Sequence, residues 1–221
     1  MSLIAKSDGN VNIEKLEDGV YTAVSSMIID LGMQKNSLDN NVRRKFLMVW
    51  NIVDEYIEIN GEKLPRVISK EYTLSLNEKS NLRKDLQAWR GKPFTDEELQ
   101  GFDMKNVLNK ACQLQIITIE KNGKNYTNIA SIMGLPKGMT VQVLENTIEF
   151  YIANQETWGS LRTIPKWMIE KIKKSENYEG SELQSYIDKL QVEENKGENT
   201  TNQETNNITE GVIAPDDDLP F

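Results

Sequence analysis

Pro65-Arg66-Val67-Ile68-Ser69-Lys70-Glu71-Tyr72-Thr73-Leu74-Ser75-Leu76 carries the clearest structural signal in this chain. Ile68, Tyr72, Leu74 and Leu76 fall on one side of an extended chain, and Ser69, Glu71, Thr73 and Ser75 on the other. That period-two alternation predicts a half-buried strand. Directly after it the period changes. Leu82, Leu86 and Trp89, at i, i+4 and i+7, predict a helix over 78–90, capped by Asn77 and stopped by Gly91 and Pro93.

Upstream, 20–24 begins a strand that runs into Met27-Ile28-Ile29. Leu38-Asp39-Asn40-Asn41 reads as a turn, and 42–53 as a second strand with Phe46, Met48 and Trp50 on one side. Downstream, Thr95-Asp96-Glu97-Glu98 matches a capping box and opens a short second helix. Strands over 111–120 and 124–132 follow, joined through Asn122-Gly123, a pair that tolerates positive φ and suits a type I′ hairpin turn. Three strands, a helical insert and two strands make a mainly β chain. That is the element order of a five-stranded OB-fold barrel, with its helix between strands 3 and 4.

Beyond the barrel, 141–152 reads equally as strand or helix. Pro165 is placed to start a helix over 167–174, with Trp167, Met168, Ile169 and Ile172 as its apolar face. A further helix over 181–192 carries Leu183, Tyr186, Ile187 and Leu190, and packs on the barrel or on a second subunit. From 195 to 215 the chain is Asn, Lys, Gly, Glu, Thr and Gln with almost no apolar content before Val212, which predicts a disordered tether. The expected organisation is a leader over 1–17, the barrel over 18–140, an extension over 141–192 and an acidic tail over 193–221.

Charge is distributed unevenly. The net charge is −8, yet the eight carboxylates from Glu193 onward face only Lys196, so the first 192 residues come to −1. A near-neutral body is free to present a basic groove. Histidine is absent and Cys112 is the only cysteine, so internal disulfides, Cys/His zinc sites and His-assisted nucleophiles are ruled out. No cofactor is expected, nor a catalytic site. The absence of a long apolar run or an apolar leader points to a cytoplasmic protein without membrane contact.

Two features point to ligands. Non-specific binding of single strands needs cations along a groove and aromatic faces on which bases stack. Arg43, Arg44 and Lys45 enter the second strand, with Trp50 and Tyr56 after them; Arg66, Lys70 and Tyr72 lie along the third; Lys121, Lys124 and Tyr126 frame the last hairpin. The competing reading makes Trp50 and Tyr72 core residues and the cations a solvated face. The second feature is Asp216-Asp217-Asp218-Leu219-Pro220-Phe221, an acidic run with an apolar tip, suited to a basic-rimmed apolar pocket on a partner. Its bland alternative is a solvated tail that only aids solubility.

That tail resembles the acidic tip of bacterial and bacteriophage single-stranded DNA-binding proteins, which end in several Asp, an aliphatic residue, Pro and Phe. The stretch 65–76, with 78–86, Trp89-Arg90-Gly91, Gly101-Phe102-Asp103, 126–131 and Leu135-Pro136-Lys137-Gly138, resembles a bacteriophage OB-fold family of replication and recombination functions. The resemblance covers roughly residues 19–140. It implies a phage protein that binds and protects single-stranded DNA during replication, recombination or repair in the host bacterial cytoplasm. It also implies recruitment of a helicase, primase, polymerase or recombinase through residues 216–221. The bacterial housekeeping protein lacks the helical insert, so its tetramer is not carried over and a dimer is expected ahead of it.

Rival readings are few. Lys6-Ser7-Asp8-Gly9 matches the Lys-x-Asp-Gly element of nucleotidyltransferases, but no strand precedes it and no adenylation domain fits ahead of the barrel. No Walker phosphate loop occurs. Asp96/Glu97 and Glu193/Glu194 are explained as cap and tether charge rather than a two-metal site. The stronger rival is an OB-fold adaptor or recombination mediator whose barrel binds protein; RNA as the strand is a third possibility. A last expectation is that the acidic tether folds over the basic groove and DNA displaces it.

Overall fold

The computed structural model describes residues 15–36, 39–59 and 61–198. The chain is mainly β. Its antiparallel strands β1 (Gly19–Lys35), β2 (Val42–Ile59), β3 (Glu62–Thr73), β4 (Ala111–Lys121) and β5 (Lys124–Met133) run in the order β3-β2-β1-β4-β5. The sheet is curled and open, a half-barrel compatible with an OB-like barrel. A short sixth strand, β6 (Ile148–Phe150), pairs parallel with Met27–Ile29 of β1 and answers the ambiguity at 141–152.

Curling follows from the length of β1. Its first part pairs with β4, Gly19 opposite Ile116 to Val24 opposite Ala111, and from Ala23 onward it pairs with β2. A strand that changes partner must bend, and β1 does so through register shifts at Ser25/Met27 and Asp30/Gly32. Between β3 and β4 lie α1 (Asn81–Arg90), α2 (Asp96–Gln100) and a 3-10 turn at Met104–Val107. Helix α1 starts after Ser80, whose Oγ accepts from Arg83 N at 3.2 Å; Asn77 instead accepts from Lys79 N in the preceding turn. The expected cap at Asn77 is therefore corrected by three residues. Gly91 ends the helix at φ 68°, and Thr95 with Glu98 forms the capping box that opens α2.

Two apolar clusters sandwich the sheet. Inside the curl, Phe46, Met48, Trp50, Ile68, Tyr72, Leu114, Ile116 and Ile129 meet Leu82, Leu86 and Trp89 of α1. On the outside, Ile29, Leu31, Leu47 and Val49 meet Phe150, Trp158 and Leu161, then Met168 and Ile172 of α3 (Lys166–Lys173) and Leu183, Ile187 and Leu190 of α4 (Glu182–Glu198). The middle of β1 and β2 is thus buried on both faces. This is why both read as continuous apolar runs rather than alternating strands. Helix α4 carries on through residues 195–198, which composition alone assigns to the tether.

The polar side of β3 is also covered. Ser69 is 3% exposed, and the Glu71 carboxylate accepts from Lys45 at 3.0 Å and Lys171 of α3 at 2.5 Å. Leu74, expected inward, is 45% exposed because β3 ends at Thr73.

Candidate nucleic-acid interface

Arg43, Arg44 and Lys45 are consecutive, so the pleat sends them to alternate faces, and each meets a carboxylate. Arg43 pairs with Asp39 at 2.6 Å. The guanidinium of Arg44 donates to both oxygens of buried Asp30, at 2.6 and 3.3 Å, and that hydrogen bond raises its pKa. Asp30 also accepts from Gly32 N and Ile152 N, which ties the β1 bulge to the extension. Lys45 is committed to Glu71. The expected basic cluster is therefore three separate ion pairs, two of which fasten the fold.

Trp50, Lys70 and Tyr72 need a second correction, since both aromatics belong to the interior and Lys70 is half-buried and ion-paired. Trp50 is 0% exposed and lies against Trp89, ring centroids 6.1 Å apart. Tyr72 stacks on Phe46 and donates its hydroxyl to Asp85 at 2.7 Å; burial, then the Asp85 carboxylate, push its pKa well up. Lys70 donates to the same carboxylate oxygen at 2.9 Å and to Ile129 O at 3.2 Å. Together these three groups link β3, α1 and β5. No face of Trp50 or Tyr72 is open to a base.

The remaining candidates gather at the opposite end of the sheet from Arg43. Past Ile52 in β2 and past Ile116 in β4, neither strand has a β1 partner, so the β2–β3 and β4–β5 hairpins both project beyond β1. Cross-strand partners share a face, which places Tyr56 with Pro65 and Glu58 with Lys63 on the outer side of the first hairpin. The same rule places Ile119 with Tyr126, and Lys121 with Lys124, on the outer side of the second. Continuity runs through Pro65, Val67, Asn51, Val24, Val20 and Gln115 to Ile117 and Ile119. Both tips therefore lie on the outer side of the sheet, but Val24 between them is 1% exposed and Val67 packs against the outer apolar cluster, so this path is not an open surface.

Each tip combines an aromatic with cations. Tyr56 is 48% exposed, with Lys63 Nζ 4.1 Å from its ring centroid. Tyr126 is half-buried beside Lys121 and exposed Lys124, and Lys15 donates to the carbonyl of Asn125. Arg66, by alternation from Ile68, faces inward near Tyr21, whose pKa is raised by burial and then by Glu55, with Arg66 opposing. Lys63 and Lys15 were absent from the sequence-level set. Asn60-Gly61, the same dipeptide type as Asn122-Gly123, signals the hairpin that would have brought in Lys63.

The tail residues 199–221, including Asp216, Asp217, Asp218, Leu219, Pro220 and Phe221, lie outside the described residues, as does Lys6-Ser7-Asp8-Gly9. No helix among the described residues is long and apolar enough to cross a membrane. No protein-family model matches this chain, and no curated protein is significantly similar to it.

Proposed function

We propose that this protein binds single-stranded DNA without sequence preference, at the β2–β3 and β4–β5 hairpin tips of an OB-like barrel. The observation that supports it best is that both hairpin tips carry an aromatic beside lysine on the outer side of the sheet, Tyr56 with Lys63 and Tyr126 with Lys121 and Lys124. Bases stack on the tyrosines, and the lysines replace phosphate counterions. The chain acts by binding rather than catalysis, and its 216–221 run recruits replication or recombination proteins. The setting is a phage-infected bacterial cytoplasm.

A barrel that binds protein instead is favoured by one specific observation. The outer face of β1, β2 and β3 is covered by α3, α4 and Phe150, which removes much of the surface such barrels offer to a strand. Fluorescence-anisotropy titration of labelled oligo(dT) of about 30 nucleotides, across salt and with duplex competitor, separates the two. Salt-sensitive binding that duplex cannot displace, weakened by Tyr56→Ala, supports strand binding. No binding at low salt leaves the protein-binding barrel.

A further inference from the structure

Away from the hairpin tips, at the start of β4, the body holds an open cleft of about 550 Å³. It lies between the end of α1, the Met104–Val107 turn and Gly134-Leu135. Trp89, Phe102, Val107, Ala111 and Leu135 supply apolar lining, and Arg90, Lys92 and Lys110 supply cations. Glu98 is the only carboxylate among the lining residues, and it is already bound to Arg90. The cleft therefore carries a net positive charge of about two over apolar walls.

Arg90 is packed at the wall of this cleft. Its guanidinium carbon sits 4.5 Å from the Phe94 ring centroid and 5.0 Å from that of Phe102, which are packed edge to face. One terminal nitrogen serves Glu98, while buried Nη1 has no hydrogen-bond partner among the described residues. A buried guanidinium nitrogen left without an acceptor costs free energy.

From this chemistry we infer that the cleft is a docking site for an acidic, apolar-tipped peptide segment, and that its resident occupant is this chain's own Asp216–Phe221 run. Charge complementarity selects it. Asp216, Asp217 and Asp218 meet Arg90, Lys92 and Lys110, while Leu219 and Phe221 fill the apolar walls. Reach allows it, because the chain from the end of α4 at Glu198 to Asp216 spans up to about 60 Å, against a radius of gyration of about 16 Å for such a body. The cleft also lies roughly 30 Å along β4 from the hairpin tip, so docking there leaves the proposed strand-binding surface open. This differs from a tail that covers the groove: the tip is parked independently of any nucleic acid.

The test uses full-length chain and a fluorescein-labelled peptide of sequence 214–221. The peptide is expected to bind a chain carrying Leu219→Ser and Phe221→Ser at least about tenfold more tightly than the unsubstituted chain, whose own tip competes at high effective concentration. Adding Lys92→Glu and Lys110→Glu, both exposed, is expected to remove that binding while oligo(dT) affinity stays the same. Equal binding to both chains overturns the inference. So does loss of peptide binding on Tyr56→Ala rather than on the cleft substitutions, or competition that grows with protein concentration, which makes a second copy the occupant. Failure of oligo(dT) to bind at all sinks the strand-binding proposal and leaves the cleft result standing.

Discussion

At Gly32 the backbone takes φ 74° where β1 bulges, and a Cβ there would run into Ser175 Oγ and come within 2.7 Å of Ile152 Cδ1. The bulge was invisible in sequence because Gly32 lies inside an apolar run that reads as plain strand. Gly32→Ala is expected to destabilise the protein by about 2 kcal/mol or more, read from urea unfolding, because strain and a clash with the extension add together. Tyr72 shows the opposite limit. Its alternation was legible, but which face of β3 closes over it depends on α1. Tyr72→Phe is expected to cost about 1 kcal/mol by removing the bond to Asp85, with oligo(dT) affinity unchanged; a fall in affinity would restore Tyr72 to the interface.

Local signals translated well wherever the partner groups are close in sequence. Asn122 and Gly123 take φ 52° and 72°, as a type I′ turn requires, and the Thr95 box forms with both of its hydrogen bonds. Glu98 accepts from Thr95 N and from Arg90, and these bonds, the backbone one foremost, hold its pKa below the usual carboxylate value. Because the folded pKa lies below the unfolded one, this contribution is complete above the ordinary Glu range of about 4.3 and is lost as pH falls through the folded value. Amide exchange at Thr95 and Glu98 should therefore accelerate relative to the rest of the body between about pH 5 and 3, and Glu98→Gln should flatten that profile. Less local choices were not legible. Ser80 wins the α1 cap from Asn77 because its Oγ also donates to Ser75 O, which fixes the loop before the helix.

Across the whole molecule, β6, α3 and α4 cover the outer face of β1 and β2, which leaves the hairpin tips as the place to test the proposed binding. Stacking is worth about 1–3 kcal/mol per base, so Tyr56→Ala with Tyr126→Ala should lower oligo(dT) affinity by well over tenfold. Arg43→Ala, at the far end and paired with Asp39, should leave affinity within about twofold. Lys63→Ala should reduce the salt slope by about one unit, measured across a salt series. The order of elements along the chain, the helix between the third and fourth strands, the Asn122-Gly123 hairpin and the acidic run at 216–221 were legible in sequence, because each rests on neighbours within a few residues. Which cations are ion-paired and which aromatics are sealed followed only from long-range packing. Those depend on carboxylates and apolar faces brought in from distant segments, such as Glu71 against Lys171 and Asp85 against Lys70.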